Sequence, residues 1–140
     1  MRLTTDECWS RLRGAEHGVL CTTSASGAVD AVPTCLAVVG RRIATPIDGV
    51  KPKDTTELGR RKNLDRDAKA TLLCEHWDPG DWSRLWWVRA RLFHVLVDDN
   101  DEYDAALRAK YTQYRTAPFA AVLVFEVKST LGWAAATPGG

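Results

Sequence analysis

Apolar and polar positions along this chain follow a helical period at first, then switch to strand-like alternation near residue 18. Leu3 to Arg13 reads as a short helix. Thr4-x-x-Glu7 has capping-box spacing, and Leu3 and Cys8 stand where a hydrophobic staple places its pair. Cys8, Trp9 and Leu12 form one narrow apolar face, and Gly14 or Gly18 ends the element. Val19 to Thr23 is a strand candidate. Ser24-Ala25-Ser26-Gly27 is a turn in which Gly27 can take positive φ. Val29 to Val39 reads as a long second strand. Pro33 within it marks an edge, a bulge or a ligand-facing break, because proline has no N–H for a ladder. Gly40-Arg41 turns the chain, and Arg42 to Ile47 is a third strand. Three strands on tight turns make an antiparallel meander.

A polar connection from Asp48 to Lys53 leads to a helix over about Thr55 to Arg66, capped by Asp54 or Thr55. Lys69 to Trp77 is a fourth strand and Asp78-Pro79-Gly80-Asp81 a turn. Ser83 to Val97 is a long fifth strand. Its even positions Trp86, Val88, Ala90, Leu92 and Leu96 are apolar, with His94 the exception. Its odd positions mix Trp87, Phe93, Val95 and Val97 with Arg89 and Arg91. One face therefore meets the core, and the other meets something apolar and anionic, or another subunit. Asp98 to Asp104 crowds acidic residues at a helix start, which suits the helix dipole better than calcium, whose loops need a central glycine. That helix runs to about Tyr114, with Tyr103, Leu107, Tyr111 and Tyr114 as its buried stripe. Phe119 to Trp133 is the last strand, with Leu123, Phe125, Val127 and Leu131 on one face and Val124, Glu126, Lys128 and Thr130 on the other. The tail from Thr137 to Gly140 reads as frayed. Six strands and three peripheral helices predict a mainly β (α+β) architecture, a small antiparallel barrel.

Composition narrows the function classes. With 140 residues, the chain fits one domain over 1–140. A net charge of +1 argues against a dedicated nucleic-acid binder, which carries a basic surplus. The expectation is a cytoplasmic protein with no signal peptide and no membrane partner, since no apolar run approaches the roughly 18 residues of a span. Cys8, Cys21, Cys35 and Cys74 are far apart with no CxxC, so they read as reduced, mostly buried hydrophobes rather than metal ligands. There is no GxGxxG, GxxxxGK[ST], HExxH or GxSxG, and His17, His76 and His94 lack ligand spacing. No catalytic triad can be assembled, and Ser83 and Cys74 read as structural.

Three segments carry positive signals. The first is Lys51 to Lys69, where seven cations face four carboxylates. Lys51 and Lys53 precede a helix N-terminus, and Arg60 and Arg61 lie one to two turns in, so ammonium groups, free N–H groups and the dipole converge as at a phosphate site. A solvated helix with pairs such as Glu57–Arg61 and Lys62–Arg66 is the plain alternative. The second is Asp81-Trp82-Ser83-Arg84-Leu85-Trp86-Trp87-Val88-Arg89. Trp86 and Trp87 point to opposite faces, so one must line a pocket or an interface. The third is Pro33-Thr34 in one strand and Thr45-Pro46 in the next, which expose backbone groups a planar ring could use.

Together these segments resemble the pyridoxamine-phosphate-oxidase-like split β-barrel family of flavin and deazaflavin oxidoreductases, most of all its actinobacterial coenzyme F420-dependent subgroup. The residues that carry the resemblance are Gly18-Val19-Leu20-Cys21-Thr22-Thr23 with Val32-Pro33-Thr34, Thr45-Pro46-Ile47-Asp48-x-x-Lys51-Pro52-Lys53, Arg61-Lys62-Asn63-Leu64, and the Asp81–Arg89 segment. The resemblance implies a six-stranded split barrel and a homodimer with two cofactor sites at its interface. It places Pro33, Thr34, Thr45, Pro46 and Ile47 at the ring and ribityl region. It puts Lys51, Lys53, Arg60, Arg61 and Asn63 at the phosphate and anionic tail, and Trp82, Trp86 or Arg89 of the other subunit over the pocket. Ala90-Arg91-Leu92-Phe93-His94 departs from the subgroup, which usually has a glycine-containing turn there. The implied activity is hydride transfer between coenzyme F420 and a small organic substrate. FMN on the same fold is the alternative cofactor, and a non-catalytic cofactor-binding module the alternative role. No metal is implied. No catalytic residue stands out, although His94, Tyr111 and Tyr114 can titrate or hydrogen-bond.

Overall fold

The computed structural model describes residues 1–48 and 55–135, with the side chains of 55–58 excepted. Helix α1 (Thr5–Gly14) starts at the predicted capping box. The Thr4 N–H donates to Glu7 Oε1 at 2.9 Å, and the Glu7 N–H donates to Thr4 Oγ1 at 3.2 Å. The strands are β1 (Gly18–Thr23), β2 (Val29–Thr34), β3 (Ala37–Val39), β4 (Arg42–Asp48), β5 (Lys69–His76), β6 (Trp86–Val95) and β7 (Phe119–Ala134); α2 spans Thr55–Arg66 and α3 Asp101–Lys110. Gly27 and Gly40, in the two tight turns, take φ of 86° and 60°, which other residues resist.

All seven strands join one antiparallel sheet in the order β2-β1-β5-β6-β7-β4-β3. This is one strand more than the sequence predicts, because the stretch from Val29 to Val39 breaks at Cys35–Leu36. Neither backbone group of Leu36 finds a strand partner. Its N–H donates to Tyr111 Oη at 3.0 Å, and its carbonyl accepts from Lys110 Nζ at 2.9 Å and Tyr111 Oη at 3.1 Å. The end of α3 thus holds the break open. The chain pairs with β1 before the break and with β4 after it. The ladder does not close among the described residues: β2 pairs only with β1, and β3 ends opposite Ala44. Beyond that point β4 pairs on one side only, with β7. Pro33 lies on the free-edged strand β2, and Pro46 lies on the one-sided stretch of β4. Both prolines therefore line the split, where a missing N–H costs the ladder least.

Two further differences are local. The start of the predicted fifth strand is a 3-10 turn at Trp82–Arg84, because Asp81 Oδ1 accepts from the Ser83 N–H at 3.1 Å. Helix α3 stops at Lys110 rather than Tyr114, since Tyr111 turns extended to reach Leu36, and a 3-10 turn follows at Thr112–Tyr114. The tail beyond Ala135 lies outside the described residues, as do Asp54 and the 49–53 connection.

The main core gathers Leu12, Leu20, Leu36, Ile43, Leu72, Val88 and Phe125 inside the curled sheet. A second cluster lies outside it, where α3 lays Tyr103 and Leu107 over Ala37, Ala44 and Val124. This explains why Leu123, Val124 and Phe125 are all buried although they alternate in direction. Helix α1 packs on β7 at Gly132. A Cβ there would lie 2.9 Å from Cys8 Sγ, 3.0 Å from Leu3 Cδ1 and 3.1 Å from the Trp87 carbonyl oxygen. Gly132→Ala should therefore push α1 off the sheet and cost about 1–3 kcal/mol. A thermal melt equal to wild type would show that the helix gives way freely.

Candidate functional site

Helix α2 packs against β1, and its attachment decides where its charges point. Leu64 enters the main core. Asn63, only 5% exposed, donates from Nδ2 to Thr22 Oγ1 at 3.0 Å and to Asp30 Oδ2 at 2.8 Å. Arg66 donates to the Thr23 carbonyl. These bonds tie α2 to the β1–β2 hairpin, so the Asn63 amide serves the fold. The helix interior then sends Arg60 and Arg61 to different sides. Arg60 lines a cavity of about 350 Å³ with Thr22, Val29, Ala31 and Val32. Arg61 lines a cleft of about 180 Å³ with Asp65, His94, Asn100 and residues 121–123 of β7. The two arginines, adjacent in sequence, line different cavities. Lys51 and Lys53 lie outside the described residues.

The residues expected at the ring sit on both banks of the split. Pro33 is exposed on β2, and Thr34 is buried with its hydroxyl donating to the Cys35 carbonyl at 2.9 Å. Thr45, Pro46 and Ile47 are buried on β4. Thr45 pairs in register with Leu123 and Ile47 with Ala121, and Leu123 and Ala121 both line the Arg61 cleft. Thr45 Oγ1 is buried without a hydrogen-bond partner among the described residues. A buried hydroxyl left unpaired costs on the order of 1–3 kcal/mol, so this atom is one a ligand could satisfy. The cleft thus places a guanidinium, an imidazole and an amide beside β7 residues that pair with Thr45 and Ile47.

His94 is half-buried there, with its ring 5.5 Å from that of Phe125. Burial holds its pKa below the ordinary 6.5, Asp65 pulls it up and Arg61 pushes it further down. Tyr111 and Tyr114 stand elsewhere, on the Leu36 break. Burial pushes the Tyr111 pKa up to about 12 and raises that of Tyr114 as well. The Tyr114 hydroxyl donates to Cys35 Sγ at 3.6 Å. Both phenols are structural ties at neutral pH. Cys74, read as structural, is buried with its thiol pushed up to about 11 by desolvation.

The tryptophan segment divides as strand alternation requires. Trp86 packs against the main core, with the Arg11 guanidinium 5.1 Å from its ring centroid. Trp82 is 64% exposed on its turn and meets Trp77 at 5.8 Å. Trp87 faces outward under Arg89, whose guanidinium lies 5.9 Å from its ring. In register beside them on the same face are Leu73, Leu131 and Trp133; Leu73 and Trp133 are 36% and 40% exposed. This is the second face of β6 that the sequence assigned to a partner. It makes Trp87, with Trp133 added from β7, its aromatic centre. Trp133 was missed because its neighbours across the sheet are far away in sequence. Among the described residues no three His, Cys, Asp or Glu side chains gather as metal ligands. No described helix is long and apolar enough to cross a membrane.

No family model matches the chain, and no curated protein matches it. Solved structures do. A FAD-binding protein from Mesorhizobium loti superposes with a TM-score of 0.70 at 15% identity, covering 94% of this chain and 95% of that one. An FMN-binding protein from Syntrophomonas wolfei gives 0.67 at 16% identity, over 91% and 86% of the two chains. A Corynebacterium glutamicum protein assigned as a pyridoxamine 5'-phosphate oxidase gives 0.60 at 14% identity, over 94% of each. At these identities the likeness establishes the fold, an α+β split-barrel-like architecture.

Two measurements check this geometry. Asn63→Ala should cost about 1–3 kcal/mol and speed hydrogen exchange in α2 before the sheet. Exchange lost uniformly across the molecule would place the anchor elsewhere. For His94, a folded-state pKa below the unfolded one means that the unfolded chain binds more protons. Stability should therefore rise with pH up to about 6.5 and be lost as pH falls below it. His94→Gln should flatten that slope in denaturant titrations. An unchanged slope would assign it to other groups.

Proposed function

We propose that this protein is an oxidoreductase whose cofactor is a flavin-type ring with an anionic handle, bound as a homodimer. The observation that carries this reading is the Arg61 cleft beside the unpaired Thr45 hydroxyl on one bank of an open split. A planar ring lying along the split would meet Pro33, Thr34, Pro46 and Ile47, and Thr45 Oγ1 would gain a partner. Arg61, with Lys51 and Lys53 at the preceding connection, would hold the handle by charge-assisted bonds. Arg60, in a different cavity, would meet only a longer tail. Bound there, the ring supplies the hydride chemistry, and the chain supplies position, charge and exclusion of water.

The cofactor of this reading is coenzyme F420. It rests on the resemblance of the Thr45–Lys53 and Asp81–Arg89 segments and on cations that exceed the need of one phosphate. FMN is the second reading, favoured by the flavin ligands of the similar structures. The dimer would form on the outward face centred on Trp87, Leu131 and Trp133, because a sheet face this apolar is rarely left to water. Trp82 and Arg89 of a second copy would then lie near the cofactor cleft, while Trp86 stays with its own core. The four cysteines carry no disulfide, which accords with a reducing cytoplasm.

Fluorescence titration with coenzyme F420 and with FMN tests the reading. Micromolar binding of the first, weakened about tenfold by Arg61→Ala, is the expected result. Tighter binding of FMN would select the second cofactor, and no saturable binding of either would overturn the reading.

A further inference from the structure

On the outward sheet face, at the opposite end of β5 and β6 from Trp87 and Trp133, lies a groove of about 520 Å³, within the size range of small-molecule sites. Its floor is apolar: Cys21, Val29 and Phe93 contribute side chains to it. Three cations from three strands rim it, namely Lys69 of β5, Arg91 of β6 and Lys128 of β7. Among the described residues no carboxylate lines it.

Lys128 is there because of a local departure from regular pairing. Arg91 pairs with Ser129 and Leu92 with Val127, so Lys128 is an extra residue in the ladder. Bulges of this kind re-aim side chains and concentrate beside binding sites. Here the bulge carries the Lys128 ammonium over the Phe93 ring, 5.6 Å from its centroid. Glu126, the register partner of Phe93, reaches Lys128 at 2.9 Å and is shared with Arg42 at 3.6 Å. Arg91 donates from Nη1 to Thr71 Oγ1 at 2.9 Å, which steadies the guanidinium and leaves its other N–H groups for a ligand. The carboxylate of Asp67 accepts from the Lys69 backbone N–H and not from its ammonium.

Glu126 already pairs with Lys128, so Lys69 and Arg91 are the rim cations that have no carboxylate partner among the described residues and that an anion in the groove would join. We propose that this groove binds a small molecule with a flat apolar body and a single carboxylate, the body on Phe93 and the carboxylate between Lys69 and Arg91. The cationic rim excludes neutral analogues by offering them no partner, and the apolar floor excludes small hydrated anions. The inference does not depend on the cofactor reading. The groove shares only Thr22 and Val29 with the Arg60 cavity and nothing with the Arg61 cleft.

Calorimetric titration of the full chain with naphthoate and with neutral naphthylmethanol tests it. Naphthoate should bind about tenfold more tightly than the alcohol. Arg91→Gln and Lys69→Gln should each weaken naphthoate about fivefold and leave the alcohol unchanged, whereas Phe93→Ala should weaken both. All three side chains are exposed, and unchanged circular dichroism will confirm folding. Equal affinities for the two compounds, or naphthoate binding indifferent to Arg91→Gln, would overturn the proposal. So would an Arg91→Gln variant that turns monomeric on a sizing column, because the groove would then be covered by a second copy. Arg91→Gln should leave coenzyme F420 and FMN titrations as they are, so a failed groove and a failed cofactor reading give different results.

Discussion

The backbone of Leu36 is the joint on which this architecture turns. The stretch from Val29 to Val39, mostly apolar apart from Asp30 and the Pro33-Thr34 pair, reads as one strand. It does not continue as one, because Lys110 and Tyr111 take both of the Leu36 backbone groups and leave none for a ladder. The interruption moves the chain from one end of the sheet to the other. It thereby creates the two unpaired edges that make a split rather than a closed barrel. Burial raises the Tyr111 pKa and keeps the phenol neutral, although its bond to the Leu36 backbone pulls the other way.

Helix α2 packs against β1, and Asn63 sets how it does so. One buried amide bonded to both strands of a hairpin fixes the rotation of the helix about its axis. Neighbouring arginines, about 100° apart on any helix, are then committed to different cavities. Cationic residues that look like one cluster along the chain become separate features in space. The Arg61 cleft, the Arg60 cavity and the Lys69–Arg91–Lys128 groove have different walls and different chemistry.

The outward face of β5, β6 and β7 follows from the same economy of covering. Helix α3 shields the sheet over β3, β4 and β7, and α1 packs on the end of β7. The remainder keeps Trp87, Leu131 and Trp133 at its centre and cations at its lower margin. Apolar centre and charged rim are the composition of a surface that meets something other than water.

Local chemistry was legible in the sequence. The Thr4–Glu7 box, positive φ at Gly27, the start of β5 and the inward Val88, Ala90 and Leu92 of β6 depend on neighbours a few residues away, whereas Leu96, expected on the same face, lies past the end of the strand and is 91% exposed. Side-chain periodicity carries that information directly. Pro33 also read as a mark of an edge, one of three readings left open for it, since a missing N–H has the same consequence in any fold. The break at Leu36, the early end of α3 and the separation of Arg60 from Arg61 were not legible. Each is decided by a contact spanning tens of residues, such as Tyr111 with Leu36 or Asn63 with Asp30, and such contacts leave no period in the chain. The sequence by itself determined which segments could be helix or strand and which faces were apolar. Tertiary packing alone decided which edges stay open and which cations share a cavity, because hydrogen-bond partners distant along the chain compete for the same backbone groups and only the folded arrangement settles that competition.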